Sequence, residues 1–362
     1  MNYSARQKKL AGELGRMGVE ALLVTHLPNI RYLCGFTGTA GVLLVQVHGP
    51  TPKLVFFTDG RYTQQAAEQV EHAKIIITKK PALVQACEWV KKSKIGSLGI
   101  ESEHLSYAAY KNVRQLLPGK TRLKPASGKV EELRTIKDPE EIEQIRAAVL
   151  MGANLFPAAL SSIRPGVAEN LIAGDLELQA RRAGAEKMSF DTIVAAGTRS
   201  ALPHGRASAQ PVPGNGFIIL DYGVILAGYC SDMTRTVHVG RASATHRRMY
   251  EAVKEAQLAS IEMVRPGIEA GAVDKAGRQV LKKAGYGTYF THSTGHGVGI
   301  EVHESPRLAK GQPQKLVPGM IVTIEPGIYI AGDGGVRIED MVLVTESGHE
   351  VLTPTTKDLI EV

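Results

Sequence analysis

The chain of 362 residues repeats itself in its second half. IRPGV at 163–167 returns as VRPGI at 264–268, and RRAG at 181–184 returns as KKAG at 282–285, both at an offset of 101 residues. Each follows a helical stretch, and each half then runs into apolar strands carrying an acid, IILDYG (218–223) and VTIEPG (322–327). Two matches at one offset, in one order of elements, point to two structural halves of common origin. Two copies are too few for a solenoid, so the expected product is a pseudo-two-fold domain with a site where the halves meet.

The acids narrow the chemistry. Asp221 interrupts the apolar run FIILDYGVIL (217–226), and Asp232 follows in CSDMTRTVHVG (230–240). A hairpin through Leu226-Ala227-Gly228 can bring both to one face. In the other half Glu325 closes MIVTIEPG (320–327), and GVRIEDMVLV (335–344) places Glu339 in the next strand. The strand period of two puts Arg337 on the face of Glu339 and Asp340 on the opposite one. A carboxylate inside an apolar strand is costly to ionise without compensation. Separate ion pairs with Arg235 and Arg337 are one solution for any single acid. Four acids in repeat-related positions fit that solution poorly, because crowded carboxylates repel and some stay protonated. Two divalent cations supply the missing charge, and a metal cluster is the expectation.

His292 and His296, in THSTGHGVGIEVHE (291–304), have the spacing of a helical zinc pair. Gly295, Gly297 and Gly299 exclude the helix and instead let backbone approach a crowded centre. The segment lacks the lysine and helix start of a phosphate loop. His26, His48, His72, His104, His238, His246 and His349 read as surface or packing residues.

The first 130 residues alternate helical and strand patterns: a helix at 3–17, strands at 21–25, 41–47, 53–59, 74–78 and 97–100, and helices from Arg61, Ala82 and Ser106. This is a mixed α/β domain, with turn residues His48 to Pro52 between two of its strands. Asp138-Pro139-Glu140-Glu141 starts a long helix after it. The expected fold class is α/β (α+β), with domains at 1–128 and 129–362.

Charge is divided unevenly. Residues 1–130 hold 19 basic and 8 acidic side chains of the chain's 43 and 36, a net of +11, and the remainder is −4. The lysines are dispersed and aromatics make up only 5%, so the basic half reads as a solvated surface and no nucleic-acid partner is expected. No membrane span or secretory leader is expected, for want of a sufficiently long apolar run. Cys34, Cys87 and Cys230 form no pairing pattern, and read as thiols of a reducing cytoplasm.

LDYG, SDMTRT, TGHGVGIEVHE, TIEPGIY and GVRIED, in this order and spacing, resemble the metal-dependent branch of the creatinase/methionine aminopeptidase superfamily, the pita-bread peptidases. Within it the chain is most similar to short bacterial Xaa-Pro peptidases, and NIRYLCGFTGTAGVLLV (29–45) resembles their N-terminal domain. The resemblance implies a dinuclear peptidase that cleaves between an N-terminal residue and proline in dipeptides or short peptides. It implies Asp221, Asp232, His296, Glu325 and Glu339 as ligands, with Asp232 and Glu339 bridging. Four oxygen donors and one imidazole suit Mn²⁺ or Co²⁺, with Zn²⁺ or Fe²⁺ also accommodated. Two ions about 3.5–4 Å apart acidify a shared water, and Glu325 moves its proton. His303 is implied as the oxyanion donor and His204 as a pocket residue that binds substrate; both count as catalytic, with His292 a further substrate contact. Arg307, in HESPR (303–307), matches an arginine associated with the substrate's C-terminal carboxylate, and Arg337 is expected to hold Asp232 or Glu339. Family members are often homodimers. A creatinase-like metal-free hydrolase and a catalytically silent binding module are the alternatives, and both are disfavoured by the complete ligand set.

Overall fold

Short apolar runs bounded by turn residues form the sheet of the first unit, Met1–Arg134, and helices between them cover it. The computed structural model describes every residue except His48 and Pro50. The expectations for these two, a surface histidine and part of a turn, therefore lie outside the described residues. In chain order the elements are α1 (Tyr3–Arg16), β1 (Ala21–Val24), α2 (Leu27–Cys34), β2 (Val42–Gln46), β3 (Lys53–Asp59) and α3 (Thr63–Gln69). They continue with β4 (Lys74–Thr78), α4 (Ala82–Lys92), β5 (Ser97–Ile100), α5 (Tyr107–Leu116), β6 (Arg122–Pro125) and α6 (Lys129–Arg134). The sheet order is β4-β3-β2-β1-β5-β6, with β1 antiparallel to β2 and parallel to β5.

Three of these elements, α2, β6 and α6, are additions to those expected. α2 has legible punctuation, a proline in its first turn and Gly35 at its end with φ 85°, the left-handed cap that glycine takes without strain. The expected junction at 128/129 precedes α6, whereas the structure divides after it. Arg134 is buried at the end of α6 and donates to Asn29 Oδ1 at 2.8 Å, which keeps the helix with the first unit.

The second unit, Thr135–Val362, shows the repeat in its element order. Its first half runs α7 (Pro139–Ser162), α8 (Glu169–Arg182), β7 (Lys187–Met188), β8 (Ile193–Ala196), β9 (Gly216–Tyr222), β10 (Val224–Leu226), β11 (Tyr229–Cys230) and β12 (Met233–Val239). The second runs α9 (Ala244–Glu262), α10 (Ala270–Lys283), β13 (Gly295–Gly297), β14 (Glu304–Leu308), β15 (Ile321–Ile324), β16 (Gly327–Ile330), β17 (Gly334–Arg337), β18 (Asp340–Val344) and β19 (His349–Val351). The order β12-β9-β8 in one half matches β18-β15-β13 in the other. Between each central pair the chain makes an antiparallel hairpin, β10–β11 and β16–β17. Even the isolated bridges Ala168–Pro211 and Glu269–Lys315 correspond.

Each half buries its helix pair against its own sheet. Phe156, Ile172 and Leu176 pack on Val194, Leu220 and Val237, while Ile261 and Val273 pack on Val322 and Val342. β9 and β12 are buried along their whole length, because Phe217 on the other face of β9 packs against Tyr250 and Val253 of α9. β9 accordingly reads as a near-continuous apolar run up to Asp221 rather than an alternating one.

α7 begins with a capping box, in which Asp138 accepts from the Glu141 N–H and Glu141 accepts from that of Asp138. By length and composition alone α7 is long and apolar enough to cross a membrane. Its buried residues, Ile145, Val149, Gly152 and Phe156 among them, form one stripe, and Phe156 and Ala159 belong to the core, the pattern of an amphipathic core helix.

The halves are joined by a buried ion pair. Arg235 donates to Asp340 Oδ1 at 2.7 Å and to the carbonyls of Glu339 and Thr355. Lys357 and Gln257 donate to Asp340 Oδ2 at 2.6 and 2.8 Å. Arg235→Met removes one partner of a buried pair, so metal-free protein should lose about 3–5 kcal/mol in urea unfolding. A loss below about 1 kcal/mol would show the pair to be dispensable.

Candidate metal centre

The acids stand where strands end or change sheets. Asp221 is the penultimate residue of β9, in register with Thr234 of β12. Asp232 lies just before β12, Glu325 just after β15, and Glu339 between β17 and β18. Glu339 is thus not inside a strand, as expected, but at the crossing between two sheets. The break after β9 requires Gly223, where a Cβ would meet the Ser231 carbonyl oxygen at 1.8 Å. Gly295 and Gly297 also serve close approach, but to neighbouring strands: a Cβ would lie 1.9 Å from the Thr323 oxygen or 2.2 Å from that of Ser305.

All the residues singled out above, from His204 to Glu339, line one cavity of about 840 Å³. His296 Nε2 lies 3.4 Å from Glu325 Oε1 and 3.7 Å from Asp232 Oδ2. One donor atom each from Asp232, His296 and Glu339 fall within 4.8 Å of one another. His296 Nδ1–H donates to the Gly297 carbonyl at 3.0 Å, which leaves the Nε2 lone pair facing the acids. Burial pushes the His296 ring down to about 4, so it is neutral at pH 7.

The carboxylates carry the opposite strain. Burial first, and then Asp221 and Glu325, push Asp232 well above the usual carboxylate range. Burial and Asp232 do the same to Glu339, although Thr234 donates to its Oε2 at 2.7 Å. Burial raises Glu325 to about 8, against the opposing pull of Arg337. Asp221 Oδ1 is buried and has no hydrogen-bond partner among the described residues. A buried acceptor without a donor, beside acids that need positive charge, is what a cation site presents. The donor set, four carboxylates and one neutral imidazole, fits divalent ions.

Arg337 departs from its expected role. It donates to Asp221 Oδ2 at 2.5 Å, not to Asp232 or Glu339, and also to Tyr329 Oη at 2.6 Å and the Pro203 carbonyl. It sits at the base of the β16–β17 hairpin in register with Gly327, and the chain then changes sheets before Glu339. The period-two relation between Arg337 and Glu339 does not survive that crossing.

His292 lines the cavity, yet both its ring nitrogens are engaged within the protein. Nδ1–H donates to the Ser293 carbonyl at 2.8 Å. Burial and Arg337 push the ring down to about 4, so the neutral Nε2 accepts the Tyr329 hydroxyl at 2.9 Å. Within the protein His292 braces Tyr329, which braces Arg337. Tyr329 escaped the sequence reading because the pattern shows only an aromatic in a strand; its buried hydroxyl is apparent from the hairpin alone.

The remaining expected residues face the cavity with polar atoms available. The His303 ring packs edge-on against His296 with centroids 4.4 Å apart, and burial with nearby His204 holds it below the usual histidine range. His204 and Arg307 are exposed at the wall. Arg307 lies opposite His296 in the β13–β14 register and has no ion-pair partner among the described residues.

Residues 143–346 match metallopeptidase family M24, and residues 6–136 match the creatinase/prolidase N-terminal domain. An uncharacterised peptidase of Bacillus subtilis is 40% identical over 98% of this chain and 99% of its own. A Xaa-Pro dipeptidase of Pyrococcus furiosus is 37% identical over 98% and 99%. The structure of a Xaa-Pro dipeptidase from Bacillus anthracis has a TM-score of 0.96 at 40% identity, with both chains covered in full.

The raised acids set a pH dependence. An acid whose folded pKa is raised stabilises the fold below its unfolded value, near 4.5 for Glu325, and this contribution is lost as pH rises toward about 8. Metal-free protein should therefore unfold at lower urea as pH rises from 5 to 8, with a smaller slope in Glu325→Gln. Divalent ions should displace protons at pH 7, seen as a buffer-dependent heat of binding. A binding heat that is the same in all buffers would contradict this.

Proposed function

The chain belongs to metallopeptidase family M24, and from that membership we propose that it cleaves the bond between an N-terminal residue and proline in dipeptides or short peptides. The observation that carries the proposal is the convergence of Asp221, Asp232, His296, Glu325 and Glu339 on one cavity beside an exposed Arg307. Two divalent ions held by those five residues would supply Lewis acidity toward the scissile carbonyl and activate water. The oxygen-rich donor set favours Mn²⁺ or Co²⁺, and Zn²⁺ or Fe²⁺ are also compatible.

The chain's own groups divide the remaining work. Proline nitrogen carries no N–H and leaves only when protonated, so a residue must hold a proton near it. Glu325 lines the cavity with its Oε1 3.4 Å from His296 Nε2 and takes that role. His303 faces the cavity with its ring as an oxyanion donor, and His204 contacts substrate from the wall. The Arg307 guanidinium receives the substrate's terminal carboxylate, which favours dipeptides. Arg337, braced by Tyr329 and His292, fixes the orientation of Asp221.

Asp232→Asn should lower both metal content and kcat/KM at least about 100-fold, beyond the loss usual for groups that merely support ligands. Wild-type activity in that variant would refute the reading. Arg307→Ala should raise KM for Ala-Pro roughly 10–100-fold, the loss of a charge-assisted hydrogen bond, with kcat little changed. Cleavage of Ala-Pro-Ala as efficient as that of Ala-Pro by the parent enzyme would remove the carboxylate role from Arg307, and cleavage of Ala-Ala would remove the proline requirement.

A further inference from the structure

The first unit carries a cluster of donor side chains for which the peptidase chemistry has no use. β1 and β5 are parallel neighbours whose connections leave in opposite directions. β1 runs through α2 to β2 on one side, and β5 runs through α5 to β6 on the other. Such a switch point opens a crevice beyond the carboxyl ends of the two strands, where open α/β sheets bind their ligands. His26 follows β1, His104 follows β5, and Glu131 reaches them from α6. One donor atom from each lies within 4.8 Å of the others.

The geometry is specific. The rings of His26 and His104 stack with centroids 3.7 Å apart and planes 7° from parallel, and His104 Nε2 lies 2.8 Å from Glu131 Oε1. Asn29 Nδ2 donates to the same Glu131 oxygen at 2.6 Å and to Glu101 Oε1 at 2.7 Å, while Arg134 donates to Asn29 Oδ1. The buried Glu101 accepts the backbone N–H groups of Thr25 and His26 at 2.6 and 2.9 Å, which fixes the turn that presents His26. Burial pushes Glu131 upward, but the Asn29 amide and the His104 ring outweigh it and hold the carboxyl below its ordinary range. The acid is therefore ionised at neutral pH, and hydrogen bonds orient it as they orient metal-binding carboxylates.

We propose that His26, His104 and Glu131 form a further metal site, binding one borderline divalent ion such as Zn²⁺ or Cu²⁺. Two imidazoles and a carboxylate are a recurrent three-residue zinc set, with the fourth position open to water. This set is richer in nitrogen than the four-carboxylate cavity of the second unit, so it prefers Cu²⁺ and Zn²⁺ over Mn²⁺. Parallel rings aim their lone pairs side by side, so ligation requires one ring to turn about its Cβ–Cγ bond. The His104 and Glu131 side chains, each 26% exposed, have room for it.

The site is tested in full-length protein and does not depend on the peptidase reading. In Asp232→Asn/Glu339→Gln, stripped of metal, Zn²⁺ titration should show one ion bound per chain. Cu²⁺ should give an electron paramagnetic resonance spectrum with coupling to two imidazole nitrogens. Adding His104→Ala or Glu131→Gln should lower the Zn²⁺ affinity at least tenfold, and His104→Ala should also abolish the two-nitrogen coupling, with circular dichroism unchanged. The same two substitutions in the otherwise unaltered chain should leave Ala-Pro hydrolysis at the parental rate. If the double variant does not fold, the measurement becomes a third ion per chain in Mn²⁺-saturated protein, counted by native mass spectrometry. No Zn²⁺ binding, or binding indifferent to His104 and Glu131, overturns the proposal.

Discussion

One guanidinium faces three buried carboxylates and a fourth that is half-buried, and the second unit is organised around that imbalance. Arg337 is itself buried and bonds directly to only one of the four, Asp221. Burial first, and then neighbouring acids with Asp221 among them each time, raise the proton affinity of Asp232, Glu325 and Glu339. Without added cations the fold can persist only by keeping protons on acids that would ionise freely in water. Metal affinity and protonation are therefore alternative answers to one electrostatic problem, and the hydrogen bonds around the cavity serve to hold the problem in place. Tyr329 and His292 are part of that restraint: they fix Arg337, and so decide which of the four acids its guanidinium bonds directly.

Position on the strands explains how four acids come so close. A side chain in the middle of a ladder is committed to one face of its sheet. A residue at a strand end, where the chain leaves for another sheet, can turn toward a shared space. Asp232, Glu325 and Glu339 all occupy such ends, and Asp221 is one residue from one. Gly223 makes the first of these exits possible, since no other residue fits against the Ser231 carbonyl without displacing it. The glycines of β13 do similar work for His296, bringing its strand against Thr323 and Ser305. The polar centre is thus assembled by interruptions at the ends of strands such as β9 and β15, which are otherwise largely apolar and buried.

This also accounts for what was legible in the sequence. The repeat was readable because helix and turn residues recur at a fixed offset, and the four acids because they break apolar runs. The long helix beginning at Pro139 announced itself through its capping residues. Alternation correctly sent Asp340 away from the cavity, to Arg235, because both lie within regular strands. It misassigned the partner of Arg337 because the chain changes sheets before Glu339, and no pattern within one strand reports such a change. α2 and α6 are too short for helical periodicity to stand out against their surroundings. His26 and His104 read as ordinary surface or packing residues because only the switch in strand order brings them together. That juxtaposition is a property of topology, and no local motif encodes it.

The duplication did not leave the two halves chemically equal. The first gives two aspartates and the second two glutamates, so equivalent strand ends meet the cavity with side chains of different reach. At the equivalent strand only the second half places a histidine: β13 carries His296 between glycines, whereas its counterpart β8 reads IVAA and is wholly buried. A strictly symmetric site would offer two identical cation positions. Here one position gains a neutral nitrogen beside Glu325, while the other keeps Asp221 tied to Arg337. The halves thus set an imidazole beside Glu325 on one side and leave Asp221, on the other, already partly satisfied by a protein cation.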